Sequence, residues 1–115
     1  MTADEHFELG FQFRCDGKYE LAKEELKRAL TLDPIHLKAR LQLALIKGFE
    51  GDFDGSLEDL RTLATENPES VDTRFEFGMT LAMLGYMEEA CHEFREVLRL
   101  DPSHEKAKQQ MAYCQ

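Results

Sequence analysis

Four histidines (His6, His36, His92, His104) and three cysteines (Cys15, Cys91, Cys114) are the residues from which catalysis or metal binding would be built. None falls in a constellation that performs either. His92-Glu93 opens like a zinc-protease helix, but the position four residues after His92 is Glu96, so the second ligand is missing. No nucleophile stands beside a base, and no glycine loop is shaped to cradle phosphates. The cysteines are odd in number, far apart and outside any C-x-x-C spacing. They read as unpaired, small, buried apolar residues in a reducing compartment. Glu24, Glu25, Glu58, Asp59, Glu88 and Glu89 read as a solvated outer wall. The expectation is a protein that is not an enzyme and holds neither cofactor nor metal.

The chemistry that remains is apolar contact. Phe7, Phe11 and Cys15 follow one another at four-residue steps, as do Leu41, Leu45 and Phe49, and Phe75, Met79 and Met83. A four-residue step turns only about 40° around a helix, so each trio shares a face. All nine residues are apolar. A second set, Leu9, Gly10 and Phe13, then Leu43, Ala44 and Ile46, then Phe77, Gly78 and Leu81, already supplies a stripe for the core. Helices apolar on two faces must be covered on both, and an exposed apolar patch of more than a few hundred Å² marks a binding surface. The nine residues are therefore the candidate groove, with the Phe7, Leu41 and Phe75 row as the part that can pack against neighbouring helices instead.

The elements that position this stripe repeat. Pro34, Pro68 and Pro102 stand 34 residues apart, and Gly17, Gly51 and Gly85 keep the same interval. Self-similarity at such a period indicates stacked copies of one supersecondary unit. Each unit holds two apolar-periodic segments of roughly 14 residues. Glycine ends the first by taking a left-handed conformation, and proline ends the second. Small residues at Gly10, Ala44 and Gly78 face Ala22, Ser56 and Ala90, with Leu26, Leu60 and Phe94 one turn further along. His36 and His104 occupy corresponding unit ends, which suggests a structural role in the turn.

With Leu9-Gly10, Phe13, Ala22, Leu26, Ala29 and Pro34 in the first unit, and Phe77-Gly78, Leu81, Ala90, Phe94, Val97 and Pro102 in the third, the chain resembles the tetratricopeptide repeat family. The resemblance covers nearly the whole chain. It departs at His6, Arg40 and Arg74, where the family has a bulky aromatic, and at Lys47, where it has a tyrosine. The resemblance implies an all-α fold, a right-handed superhelical solenoid with the first helix of each unit on the inner, binding wall. The expected organisation is one domain over residues 1–115: units 3–36, 37–70 and 71–104, then a capping helix over 105–115, or else the start of further repeats.

A net charge of −9, spread evenly over the units, provides no basic stripe and argues against nucleic acid or an anionic membrane surface as partner. No window reaches the length of a membrane span, and the first thirty residues lack the pattern of a signal peptide; a cytoplasmic location is expected. Some proteins resembling this fold clamp a peptide's terminal carboxylates with inner-wall Lys, Asn and Arg. Phe7, Phe11, Phe75 and Met79 at the matching positions donate no hydrogen bond. The expected partner is another protein or peptide, an amphipathic or apolar segment laid in the groove. Self-association into a homo-oligomer is the structural alternative, and a holdase for hydrophobic secreted or membrane-inserting proteins is a third reading, implied by resemblance to secretion chaperones built on three such repeats.

Overall fold

The computed structural model describes residues 1–114. Seven helices follow in order: α1 (Ala3–Cys15), α2 (Tyr19–Leu32), α3 (Leu37–Phe49), α4 (Phe53–Glu66), α5 (Val71–Met83), α6 (Met87–Leu100) and α7 (Glu105–Met111). No strand occurs among the described residues. The chain is an all-α helical repeat, and it divides into two compact units, Met1–Ser56 and Leu57–Gln115.

One set of hydrogen bonds punctuates every repeat. After α1 the Gly17 N–H donates to the Arg14 carbonyl and the Lys18 N–H to that of Phe13; Gly51 and Asp52 repeat this on Gly48 and Lys47, and Gly85 and Tyr86 on Ala82 and Leu81. This double closure is the Schellman motif, which requires a left-handed residue. Gly17, Gly51 and Gly85 supply it, with φ of 76°, 99° and 93°. After the second helices, the His36, Ser70 and His104 N–H groups donate to Asp33, Asn67 and Asp101 across turns that hold Pro34, Pro68 and Pro102.

Each of those turns ends in a helix cap. Thr2, His36, Ser70 and His104, spaced like the prolines, accept from the backbone N–H of Glu5, Ala39, Thr73 and Ala107. The cap satisfies a donor that the first turn of a helix leaves open. In His36 the acceptor is Nδ1, so Nε2 carries the proton and donates to Asp4 Oδ1 at 2.7 Å. The structural role suggested for His36 and His104 is therefore to start α3 and α7.

Close approach within a repeat depends on the small residues. A Cβ at Gly10 would stand 2.9 Å from Leu26 Cγ, and one at Gly78 2.8 Å from Phe94 Cε1. In the first unit the core joins Phe7, Ala22, Leu26, Ala29, Ala39 and Ile46. Leu9, expected in that core, is exposed, while Phe7 is buried. Helix α1 packs on both α2 and α3 and buries Phe7 and Gly10; the equivalent Phe77 of α5 is buried, with Arg61 of the preceding helix α4 over its ring, so this position is covered by a preceding helix and not by its own partner.

Three further expectations change. Glu25, read as part of the solvated wall, is buried, with Oε2 2.6 Å from His6 Nδ1 and Oε1 2.5 Å from Arg28 Nη1. In the third repeat Arg74 Nη1 meets Glu93 Oε1 at 2.7 Å, and Arg74 Nε donates to the Pro68 carbonyl at 2.6 Å. A hydrogen-bonded pair thus links the two helices where the family resemblance implied an aromatic side chain. The cysteines also depart from expectation. Cys91 and Cys114 are joined in a disulfide, and Cys15 is exposed. Helix α7 ends at Met111, short of the expected 105–115, because the chain turns there and carries Cys114 to α6; Gln115 lies outside the described residues. The cysteines give no ground for a reducing compartment.

Candidate functional site

Burial along the nine-residue stripe falls from the start of each first helix to its end. In the first row Phe7 and Leu41 are buried and Phe75 is half-buried. The Phe7 ring stacks on His36 at 5.4 Å, and the Phe75 ring lies 4.9 Å from His104 and 6.0 Å from Phe94. Phe7 and Phe75 therefore pack against the caps that begin α3 and α7. In the second row Leu45 is 7% exposed, whereas Phe11 and Met79 are half-buried. The third row is open: Cys15 is exposed, Phe49 is 51% and Met83 62% exposed. The stripe is thus not wholly surplus to packing, since Phe7, Leu41 and Leu45 are taken into the interior. What stays accessible is Phe11, Cys15 and Phe49 in the first compact unit, and Phe75, Met79 and Met83 in the second.

One polar group on this face escaped the sequence reading. Arg14 places its guanidinium carbon 5.2 Å from the centre of the Phe11 ring and 5.4 Å from that of Phe49. A cation over aromatic faces is attracted by the ring quadrupole. Its Nε donates to Gln42 Oε1 at 3.0 Å, and Tyr19 stacks on the other ring neighbour, Phe49, at 5.9 Å. The available signal was Arg14's place three residues after Phe11, a spacing that makes helical neighbours. Charge pairs elsewhere in this unit have clear electrostatic effects. The hydrogen bond from His6 is the first cause of a Glu25 carboxyl held below its usual range, with Arg28 adding to it. Glu20 is likewise lowered by Lys23, and Lys23 is raised by Glu20 and then Glu50. A cleft of about 600 Å³ lies beside the disulfide, lined by Met87, Glu88, Cys91, Arg95, Tyr113 and Cys114, and includes none of the nine stripe residues.

A tetratricopeptide repeat profile matches residues 16–36 and 71–104. Among solved structures, MamA AMB-1 is 27% identical, with 98% of this chain and 62% of that one aligned at a TM-score of 0.70. YrrB, described as a TPR protein with an unusual peptide-binding site, is 23% identical over 97% of this chain and 58% of its own, at 0.78. The first TPR of Spaghetti (RPAP3), bound to the HSP90 peptide SRMEEVD, is 20% identical over 97% and 91%, at 0.86; these last two speak to the fold alone. The chain spans about six-tenths of the length of the MamA and YrrB chains. No curated protein sequence gives a significant match. Helix order, turn chemistry and profile agree on the tetratricopeptide repeat, which the profile finds at residues 16–36 and 71–104.

Proposed function

We propose that this chain is a non-catalytic protein-interaction module that binds an amphipathic or apolar segment of another protein through the accessible apolar residues of its first helices, α1 and α3 in one compact unit and α5 in the other. The observation that carries the reading is the open third row, Cys15, Phe49 and Met83, one apolar side chain at the same position of three successive repeats. Half-buried Phe11 and Met79 stand one turn below two of them, so an entering side chain meets apolar depth as well as apolar surface. Methionine adapts to varied partners, and rigid aromatic rings anchor them. The structures of YrrB and of Spaghetti bound to a peptide lend support by analogy of fold.

Selection from a random dodecapeptide phage library tests the reading. Wild-type protein enriches amphipathic or apolar sequences, and Phe49→Glu or Met83→Glu loses that enrichment with the helical circular dichroism unchanged. Equal enrichment by both variants sinks the proposal. The changes fall on Phe49 and Met83 because Leu45 is buried and a glutamate there would disturb folding. Light scattering over a range of concentrations addresses self-association: a mass that stays monomeric removes it.

A further inference from the structure

We propose that the Arg14 guanidinium is a carboxylate-reading subsite on this face, taking an Asp or Glu side chain that the bound segment carries among apolar neighbours. The inference rests on the interaction-module reading and adds the chemistry of the occupant. Three observations support it. Arg14 is held in place: two aromatic rings flank its guanidinium at 5.2 and 5.4 Å, and the Gln42 amide fixes Nε. A planar fork positioned in this way loses little freedom when it meets a carboxylate. The Gln42 bond engages Nε alone, and the remaining N–H groups of a guanidinium are donors arranged for an oxyanion.

The second compact unit contains a comparable arrangement at another position, on the second helix α4, with its carboxylate in place. Arg61 stands 5.1 Å over the Phe77 ring, and its Nη1 lies 2.9 Å from Glu89 Oε2. There the cation on an aromatic face receives its carboxylate from within the chain. Arg14 has the same ring support with an amide in place of the acid.

The third observation is the setting. Phe11 and Phe49 flank Arg14, and Tyr19 stacks on Phe49, so a wholly apolar occupant would cover a cation without matching it, at a desolvation cost. A carboxylate relieves that cost. The net charge of −9 works in the opposite direction at long range and disfavours a strongly acidic partner. The fitting occupant is therefore a segment with a single acidic residue between apolar ones, its other charges neutral or basic.

The same dodecapeptide library provides the test, with the selected sequences compared between wild type, Arg14→Gln and Arg14→Lys. Wild type is expected to enrich Asp or Glu about tenfold at one fixed place within an apolar pattern. Arg14→Gln loses the acidic preference and keeps the apolar pattern; Arg14→Lys, which keeps the charge without the fork, retains an intermediate preference. Apolar enrichment without an acidic position, or an acidic position unchanged in both variants, overturns the Arg14 proposal and leaves the interaction reading standing. Failure of the wild type to enrich any apolar sequence overturns both.

Discussion

Arg74 Nη1 lies 2.7 Å from Glu93 Oε1, a contact from α5 to α6 between side chains that are 15% and 10% exposed. His6 and Glu25 make the corresponding contact from α1 to α2. Removing one partner strands the other in a poorly hydrated place. Arg74→Ala is expected to cost about 3 kcal/mol in urea unfolding, and adding Glu93→Gln should recover part of it. A double-mutant cycle with no coupling energy would show the pair to be incidental.

The Glu25 carboxyl is held below its ordinary value of 4.5, first by the hydrogen bond from His6. A lowered folded-state value stabilises the fold above the unfolded-state value, and that contribution disappears as pH falls through the folded-state value. Glu25→Gln should therefore be less stable than wild type near neutrality, and the gap should close below about pH 4.5. Urea midpoints across that range provide the measurement; a gap that widens in acid contradicts the assignment.

His36 and His104 cap helices as Ser70 does. Substituting His36 by alanine is expected to cost about 1 kcal/mol, and by serine only a fraction of that. Thermal melts of the two variants distinguish capping from packing, because serine restores the acceptor without restoring the ring that stacks on Phe7.

An alanine at position 78 would gain about 1 kcal/mol of helix propensity over glycine. Its Cβ, however, would meet the fully buried Phe94 ring at 2.8 Å, and overpacking of this kind costs about 1–3 kcal/mol. Net destabilisation of about 1 kcal/mol is expected for Gly78→Ala. A stabilised variant would mean that α5 and α6 separate more readily than their packing implies.

The Cys91–Cys114 bridge closes a separation of 23 residues. Restricting the unfolded chain over such a loop is worth about 3 kcal/mol. Cys114→Ser should lose that amount under oxidising conditions and match wild type in excess thiol. Equal stability of the two proteins without reductant would count against the bridge.

Punctuation was readable in the sequence because it is local. Gly17, Gly51 and Gly85 must take a left-handed conformation, and Pro34, Pro68 and Pro102 must stop a helix, whatever surrounds them. The small and large pairs Gly10 with Leu26 and Gly78 with Phe94 were also visible, since a fixed period places them in equivalent contacts. Tertiary structure decided what periodicity leaves undetermined. Phe7 and Phe49 share one apolar pattern, yet one is buried beneath His36 and the other is half open, because burial depends on which neighbour a helix end meets. The same holds for the pairings of Glu25, Arg14 and Cys91. Glu25 with His6, Arg14 with Gln42 and Cys91 with Cys114 each join residues far apart in the chain, and such distances are set only when helices pack.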